Sequence, residues 1–229
     1  MSLTDKRIAI TGAFGSLGTG VVRAALAAGA KVAAIDRADA PPPDTDLGAA
    51  ERFGGVDLAD TAAAKTTIDA AAKALGGLDA LVNIAGTFRF ETLADGSPET
   101  FDLLFRINLR TAVAASKAAL AHLPDGGRIV NIGAASALKA GAGMGAYTAS
   151  KSGVMRFTES LAEELKARGI TVNALLPSII DTPPNRKDMP KANFDKWVKP
   201  AQLADVIVFL LSDQASAITG ALIPVTGRV

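Results

Sequence analysis

The first thirty-six residues carry the arrangement that most restricts the fold of this chain. An apolar run of strand length, Lys6–Thr11, is followed at once by the glycine-rich sequence Gly12-Ala-Phe-Gly15-Ser-Leu-Gly18. An alanine-rich helical segment then runs to Gly29, and a second apolar strand, Lys31–Asp36, ends in an acid. This order is typical of a dinucleotide site, because glycines let the backbone approach a pyrophosphate and the helix N-terminus offers free N–H groups. We therefore predict that a dinucleotide binds here; a tight turn in another kind of α/β protein is the alternative.

Strands and helices alternate along the rest of the chain. The pattern predicts strands at 6–11, 31–36, 52–56, 78–84, 127–133, 170–175 and 221–225, and helices at 17–28, 61–75, 98–121, 146–167 and 201–211. Such alternation predicts a single doubly wound, Rossmann-type α/β domain over residues 1–229, with about seven parallel strands and helices on both faces. The irregular stretch 177–200 is rich in Pro, Asp, Asn and Lys, and is expected to be a substrate-binding loop or lid.

Composition narrows the range of functions. The net charge is +1 with no charge blocks, so we expect no nucleic-acid partner. The absence of cysteine excludes disulfides, thiol catalysis and cysteine metal sites, and we predict no metal site. No signal peptide and no apolar run of membrane-spanning length is found, so we expect a cytoplasmic protein without a membrane partner that acts on a small molecule.

The only tyrosine of the chain, Tyr147, lies four residues before Lys151 in a predicted helix. Residues at this spacing project from the same helix face. An ammonium held near the phenol is expected to lower the phenol pKa from about 10 toward neutrality, which would suit a proton donor or acceptor. The alternative is a chance pair, since tyrosine and lysine occur at this spacing in many helices.

Taken together, the motifs resemble the short-chain dehydrogenase/reductase family over nearly the whole chain. The matching residues are Thr11-Gly12 with Gly18, Asp57-Leu58, Asn83-Ile-Ala-Gly86, Asn108, Tyr147 with Lys151, and Pro177 with Thr182. The resemblance implies one Rossmann-type domain that oxidises or reduces a substrate with a nicotinamide cofactor. It implies the catalytic residues Tyr147, Lys151 and Asn108, the last in a kinked helix beside a water that relays protons to Lys151.

The resemblance also implies a set of cofactor-binding residues. They are Gly12, Gly15, Ser16, Leu17, Gly18, Asp36, Arg37, Asp57, Leu58, Asn83, Ala85, Gly86, Tyr147, Lys151, Pro177 and Thr182. Asp57 is expected to bind the adenine amino group, and Asn83 to line the cofactor and brace the sheet. Asp36 favours NAD(H), because its carboxylate binds ribose hydroxyls and repels a 2′-phosphate. Arg37 leaves NADP(H) possible, since a guanidinium can pair with that phosphate.

The chain departs from the usual family pattern at two positions. The family's serine, thirteen residues before the tyrosine, is replaced by Ala134, and Ser136 could take its place if the strand continued. Ser16 stands where glycine is commonest. Both departures, together with Gly143-Met144 and the stretch Asp181–Trp197, resemble the dihydropteridine reductase branch of the family.

These observations lead to three hypotheses for function. The first is a reductase in which Tyr147 donates a proton, with a quinonoid dihydropterin as substrate. The second is a reductase or dehydrogenase of an ordinary ketone or alcohol, and the third is a non-catalytic dinucleotide-binding sensor. A homodimer or homotetramer is expected through the helices 98–121 and 146–167. Close packing there is assigned to the small residues Ala112, Ala114, Ala115, Gly153 and Ala162. Trp197 is expected to pack within the lid, or else to stack on substrate.

Overall fold

Seven parallel strands form one sheet in the computed structural model, which describes all 229 residues. The strands are β1 (Arg7–Thr11), β2 (Lys31–Ile35), β3 (Glu51–Phe53), β4 (Ala80–Asn83), β5 (Arg128–Ile132), β6 (Thr171–Pro177) and β7 (Leu222–Val225). Their spatial order is β3-β2-β1-β4-β5-β6-β7, so β1 pairs with both β2 and β4. The winding reverses between β1 and β4, and a ligand site is expected at the carboxyl ends of these two strands.

Helices cover both faces of the sheet. They are α1 (Ser16–Ala27), α2 (Thr61–Leu75), α3 (Pro98–Leu104), α4 (Thr111–Ala119), α5 (Gly145–Leu165), α6 (Pro183–Asp188) and α7 (Pro200–Leu211). One apolar cluster joins the sheet to α1 and α7, and a second joins it to α2, α4 and α5. The predicted Rossmann-type fold is therefore confirmed, with all seven predicted strands present. None of the helices combines the length and apolar character needed to cross a lipid bilayer.

The long helix predicted at 98–121 is divided into three parts. A π-helical turn, Phe105–Arg110, separates α3 from α4, and it contains Asn108. Asparagine is a poor helix former. The buried Asn108 side chain accepts one hydrogen bond from outside this helix and donates another, which compensates for the irregular turn. A π-helical turn inside a helix often lies at a functional site.

The small residues assigned to subunit contacts are already used inside the monomer. Ala112, Ala114, Ala115 and Ala162 are all less than 7 % exposed. A side chain at Gly153 would come within 2.8 Å of Leu109, so this glycine packs α5 against the π-helical turn. Because the four alanines pack α4 and α5 within one chain, their predicted role in subunit packing is not supported, whereas for the partly exposed Gly153 it stays a prediction.

Candidate active site

A cavity of about 1020 Å³ opens at the carboxyl edge of the sheet, where the winding reverses. It runs from the glycine-rich turn, past Asp36 and the loop 40–43, to Tyr147, Lys151 and the chain after β6. Every predicted site residue lines this cavity except Asn83 and Asn108. The loop 40–43 contains three consecutive prolines, which indicate a turn but give no sign of a ligand.

In the glycine-rich turn, neighbouring backbone segments pack so closely that a side chain would not fit at two of the glycines. Gly12 has φ of +65°, and a Cβ there would lie 2.7 Å from the Ala85 nitrogen. A Cβ at Gly18 would lie 2.1 Å from the Gly12 carbonyl oxygen. At Gly15, by contrast, a Cβ would meet only that oxygen, at 3.5 Å, and no side chain caps the start of α1. The open cradle and the uncapped helix N-terminus fit the pyrophosphate of a dinucleotide.

Asp36 is fixed at the end of β2 by two backbone donors. Its Oδ2 accepts the Phe14 N–H at 2.9 Å, and its Oδ1 accepts the Ala38 N–H at 3.0 Å. The carboxylate therefore holds the glycine-rich turn against the second strand while it faces the cavity. Arg37 is exposed and also lines the cavity. Both an acid and a guanidinium are thus available at the expected adenosine end.

The carboxylate of Asp57 forms an ion pair with Arg106, a cavity residue that the sequence did not indicate. Its Oδ1 accepts the Ala59 N–H at 3.0 Å, and its Oδ2 lies 2.6 Å from Nη2 of Arg106. Arg106 comes from the π-helical turn, 49 positions along the chain, so no local pattern could have indicated the pair. Both groups line the cavity together with Leu58.

Asn83 braces the sheet from inside the protein. Its Nδ2 donates to Ser116 Oγ at 3.0 Å and to Asn131 Oδ1 at 2.9 Å. Asn131 in turn donates to Thr158 Oγ1 at 2.9 Å, so a buried chain of polar groups ties β4 and β5 to α4 and α5. The Asn83 side chain does not line the cavity, and the expected direct contact with the cofactor is not supported.

Asn108 connects the chain after β4 to the helix that carries Tyr147. Its Oδ1 accepts the Thr87 N–H at 2.7 Å, and its Nδ2 donates to Ser150 Oγ at 2.9 Å. Ser150 Oγ donates to the Tyr147 carbonyl oxygen at 2.7 Å. Since both ends of the amide are hydrogen-bonded within the protein, the contacts support a positioning role for Asn108, while its catalytic role and the water relay stay predictions.

Lys151 is buried, at 5 % exposure, and its Nζ donates to the Ile132 carbonyl oxygen at 2.8 Å. Burial lowers the pKa of its ammonium to about 8 and raises the pKa of the Tyr147 phenol to about 12. The expectation that Lys151 lowers the phenol pKa is therefore wrong, because the ammonium bonds to a carbonyl and burial opposes ionisation of the phenol. At neutral pH the phenol is protonated, which is the form that donates a proton.

The burial of Lys151 predicts that stability rises in mild alkali. Its pKa falls from 10.5 to about 8 on folding, so the unfolded chain binds more protons between these values and the free energy of unfolding increases with pH. The buried charge costs about 3 kcal/mol near neutrality. Between about pH 7 and pH 10, we expect the stability of the wild type relative to Lys151→Met to rise by about 2 kcal/mol. Urea unfolding at the two pH values measures this, and a difference that does not change with pH would contradict the buried ammonium.

Ser136 does not take over the position of Ala134. β5 ends at Ile132, Ala134 is extended and buried, and Ala135–Ala137 form a 3-10 turn. The alternation of faces along a strand therefore does not apply to Ser136. The hypothesis that Ser136 replaces the family's serine is not supported.

The chain after β6 packs on itself. Arg186 pairs with Asp181 through two contacts of 2.5 and 2.8 Å and lies 4.7 Å from the Phe194 ring centroid. The Phe194 ring packs 4.8 Å from Trp197, which is 5 % exposed and does not line the cavity. Trp197 therefore packs this segment, and the alternative of stacking on substrate is not supported. Pro177 and Thr182 do line the cavity, and Thr182 caps α6.

Comparisons with known proteins agree with this geometry. The family model described as Enoyl-(Acyl carrier protein) reductase matches residues 12–227. The 2-(S)-hydroxypropyl-CoM dehydrogenase 3 of Xanthobacter autotrophicus is 33% identical over 98% of this chain and 96% of its own length. A 3-ketoacyl-(acyl-carrier-protein) reductase from Brucella melitensis, solved with NADH, has TM-score 0.87 and 30% identity over 99% of both chains.

A short-chain dehydrogenase from Burkholderia cenocepacia, solved with NADP, has TM-score 0.84 and 30% identity, over 99% of this chain and 98% of that one. These proteins are named as dehydrogenases and reductases, and the structures contain either form of the cofactor. The more specific resemblance to the dihydropteridine reductase branch is not supported by them. With its fold, its glycine-rich cradle and its Tyr147–Lys151 pair, the chain belongs to the short-chain dehydrogenase/reductase family of oxidoreductases.

Proposed function

We propose that this protein reduces a small carbonyl compound, or oxidises the corresponding alcohol, with a nicotinamide dinucleotide. The observation that carries the proposal is one continuous cavity that joins the glycine-rich cradle to Tyr147 and Lys151. The names of the relatives, which include an alcohol-type dehydrogenase and a ketoacyl reductase, support a carbonyl–alcohol reaction. When bound, the cofactor supplies or accepts the hydride.

The residues of this chain handle the proton. Tyr147 is protonated at neutral pH, so its phenol donates to the substrate oxygen as the carbon gains hydride, and it takes the proton back in the reverse direction. Lys151, one helical turn away with a pKa of about 8, holds a proton that can restore the phenol. Asn108 and Ser150 fix α5, so that both groups keep their place against the cavity.

Oxidation of NADH and NADPH by purified protein tests the proposal. We expect turnover with members of a panel of alkyl ketones, aryl ketones and their alcohols. Tight binding of the dinucleotide with no turnover on the panel or on a quinonoid dihydropterin would contradict the proposal. That result would favour the non-catalytic sensor, although the intact Tyr147 and the buried Lys151 argue against a sensor.

We also propose that NADH is preferred over NADPH. The Asp36 carboxylate is held by two backbone donors at the expected ribose end, where it would repel a 2′-phosphate. Asp36→Asn keeps one acceptor oxygen and removes the charge, so we expect the ratio of kcat/KM for NADH over NADPH to fall by about tenfold or more. Arg37→Gln is the matched variant and should raise the same ratio. An unchanged ratio in Asp36→Asn would show that this carboxylate does not select the cofactor.

A quinonoid dihydropterin is the second candidate substrate, and Ala134 is the observation that favours it. Such a substrate accepts hydride at a conjugated C=N system and a proton at nitrogen, so no alkoxide needs a hydroxyl donor. Ordinary ketones do develop charge on oxygen, and the loss of one donor to that charge costs about 2.7–4 kcal/mol. Reduction of the dihydropterin but not of ketones would select this candidate.

Restoring the missing hydroxyl should therefore help ketones alone. We expect Ala134→Ser to raise kcat for a simple ketone by about tenfold or more, with little change for a quinonoid dihydropterin. Ser136→Ala is the control and should alter neither rate, because Ser136 lies in the 3-10 turn beyond the end of β5. Equal effects of Ala134→Ser on both substrates would contradict the role assigned to this position.

The stretch 177–200 is proposed as the substrate-binding loop, since Pro177, Ser178, Ile180 and Thr182 line the cavity.

A homodimer or homotetramer is likewise proposed. Because the alanines of α4 and α5 named above are buried, the exposed Phe105 and Val113 are the better candidates for that contact.

A further inference from the structure

The segment that follows β4 is tied down at both ends beside the cavity. The Thr87 N–H donates to Asn108 Oδ1 at 2.7 Å, and the Glu91 N–H donates to the Gly143 carbonyl oxygen at 2.8 Å. We call residues 87–91 the strap. It runs from the π-helical turn to the chain that enters α5, and it carries two phenylalanines between its anchors, Phe88 and Phe90.

Phe88 lies against the catalytic tyrosine. The two ring centroids are 4.9 Å apart with the planes at 80°, an edge-to-face contact. Phe88 also lines the cavity, yet it is 51% exposed. A large aromatic side chain that is half exposed inside a cavity offers apolar area to a ligand, because burying that area is favourable.

Phe90 extends the same apolar surface. Its ring lies on Gly143, where a Cβ would come within 2.4 Å of the ring, and Gly143 has φ of +72°. Glycine at 143 therefore serves both the turn and the ring above it. Phe90 is itself 67% exposed. Because the backbone of the strap is held at Thr87 and Glu91, its two rings are already positioned, and binding costs little additional conformational entropy.

Resting on the proposed function, we propose that Phe88 determines specificity and that the preferred substrate carries a flat aromatic or conjugated ring next to its reacting carbon. An aliphatic chain gains similar contact area from any apolar side chain. A flat ring gains an additional aromatic contact, worth about two- to tenfold in binding.

Acetophenone and cyclohexyl methyl ketone test this inference, because they differ only in the flatness and unsaturation of the ring. We expect the wild type to have the higher kcat/KM for the phenyl ketone. Phe88→Leu keeps an apolar side chain and should lower the phenyl-over-cyclohexyl ratio by about two- to tenfold. Phe105→Leu is the matched control, an exposed phenylalanine outside the cavity lining, and should leave the ratio unchanged. The Kd for NADH should be the same in all three proteins.

An identical ratio in the wild type and Phe88→Leu would overturn the inference. If neither ketone is reduced although NADH binds, the proposed carbonyl reaction fails. The inference about Phe88 is then tested separately, by measuring how the two ketones bind. Saturation-transfer NMR of the two ketones with the protein–NADH complex should then show preferential phenyl binding that Phe88→Leu removes. Equal binding of both rings to the wild type would overturn it.

Discussion

Replacement of Tyr147 by phenylalanine is expected to lower kcat by about a hundred- to ten-thousandfold, while the Kd for NADH changes by less than about twofold. The substitution removes only the phenolic oxygen, the group placed to donate a proton beside Lys151. The ring remains, so its contact with Phe88 and the packing of α5 should persist. Steady-state NADH oxidation and fluorescence titration of NADH measure the two quantities.

The wild-type phenol can be titrated directly, because Tyr147 is the only tyrosine in the chain. Phenolate absorbance should appear only near pH 12, as burial raises the pKa to about that value. A phenol that ionises near neutrality would instead support the expectation from the sequence, that Lys151 lowers the phenol pKa. A Tyr147→Phe enzyme with undiminished kcat would remove this residue from the mechanism.

Gly18→Ala is expected to destabilise the protein severely. An alanine inside a helix normally gains up to about 1 kcal/mol over glycine. Here its Cβ would lie 2.1 Å from the Gly12 carbonyl oxygen and 2.6 Å from the Ala13 Cα, and neither backbone atom can move without shifting the turn. The overlap outweighs the helix preference, so we expect a loss of about 3 kcal/mol or more and a Tm lower by about 6–12 °C.

Gly15→Ala is the matched control from the same turn. Its φ of −75° suits alanine, and the new methyl would meet only the Gly12 oxygen at 3.5 Å. The Tm should therefore change by no more than about 2 °C, whereas the Kd for NADH should rise about tenfold or more because the methyl occupies the cradle. If Gly15→Ala binds NADH as the wild type does, the pyrophosphate does not lie over this glycine.

Local patterns were sufficient to predict the order of elements and most of the cavity wall. The seven strands, the glycine-rich turn and Asp36 follow from runs of apolar residues and from spacing, and these depend on neighbours along the chain. The family motifs extended this to Tyr147, Lys151 and Thr182, which line the same cavity although they lie far from the turn.

Other features depend on contacts between distant residues and could not be predicted. The pairing of Arg106 with Asp57 needs the π-helical turn, which no periodicity indicated. The phenol pKa was predicted to fall because only the Lys151 spacing was visible, whereas the structure adds burial and directs the ammonium to Ile132. The alanines of α4 looked suitable for subunit packing because their burial within the monomer depends on the sheet beneath them.

Transfer of deuterium is the most direct test of the claim that this protein moves hydride between a nicotinamide and a small carbonyl compound. Wild-type protein would be incubated with NADH deuterated at both transferable positions and with the phenyl and alkyl ketones, and the alcohols would be analysed by mass spectrometry. The account predicts one deuterium at the former carbonyl carbon, formed by the wild type and not by Tyr147→Phe. Bound NADH that stays unoxidised, or an alcohol without deuterium, would contradict it.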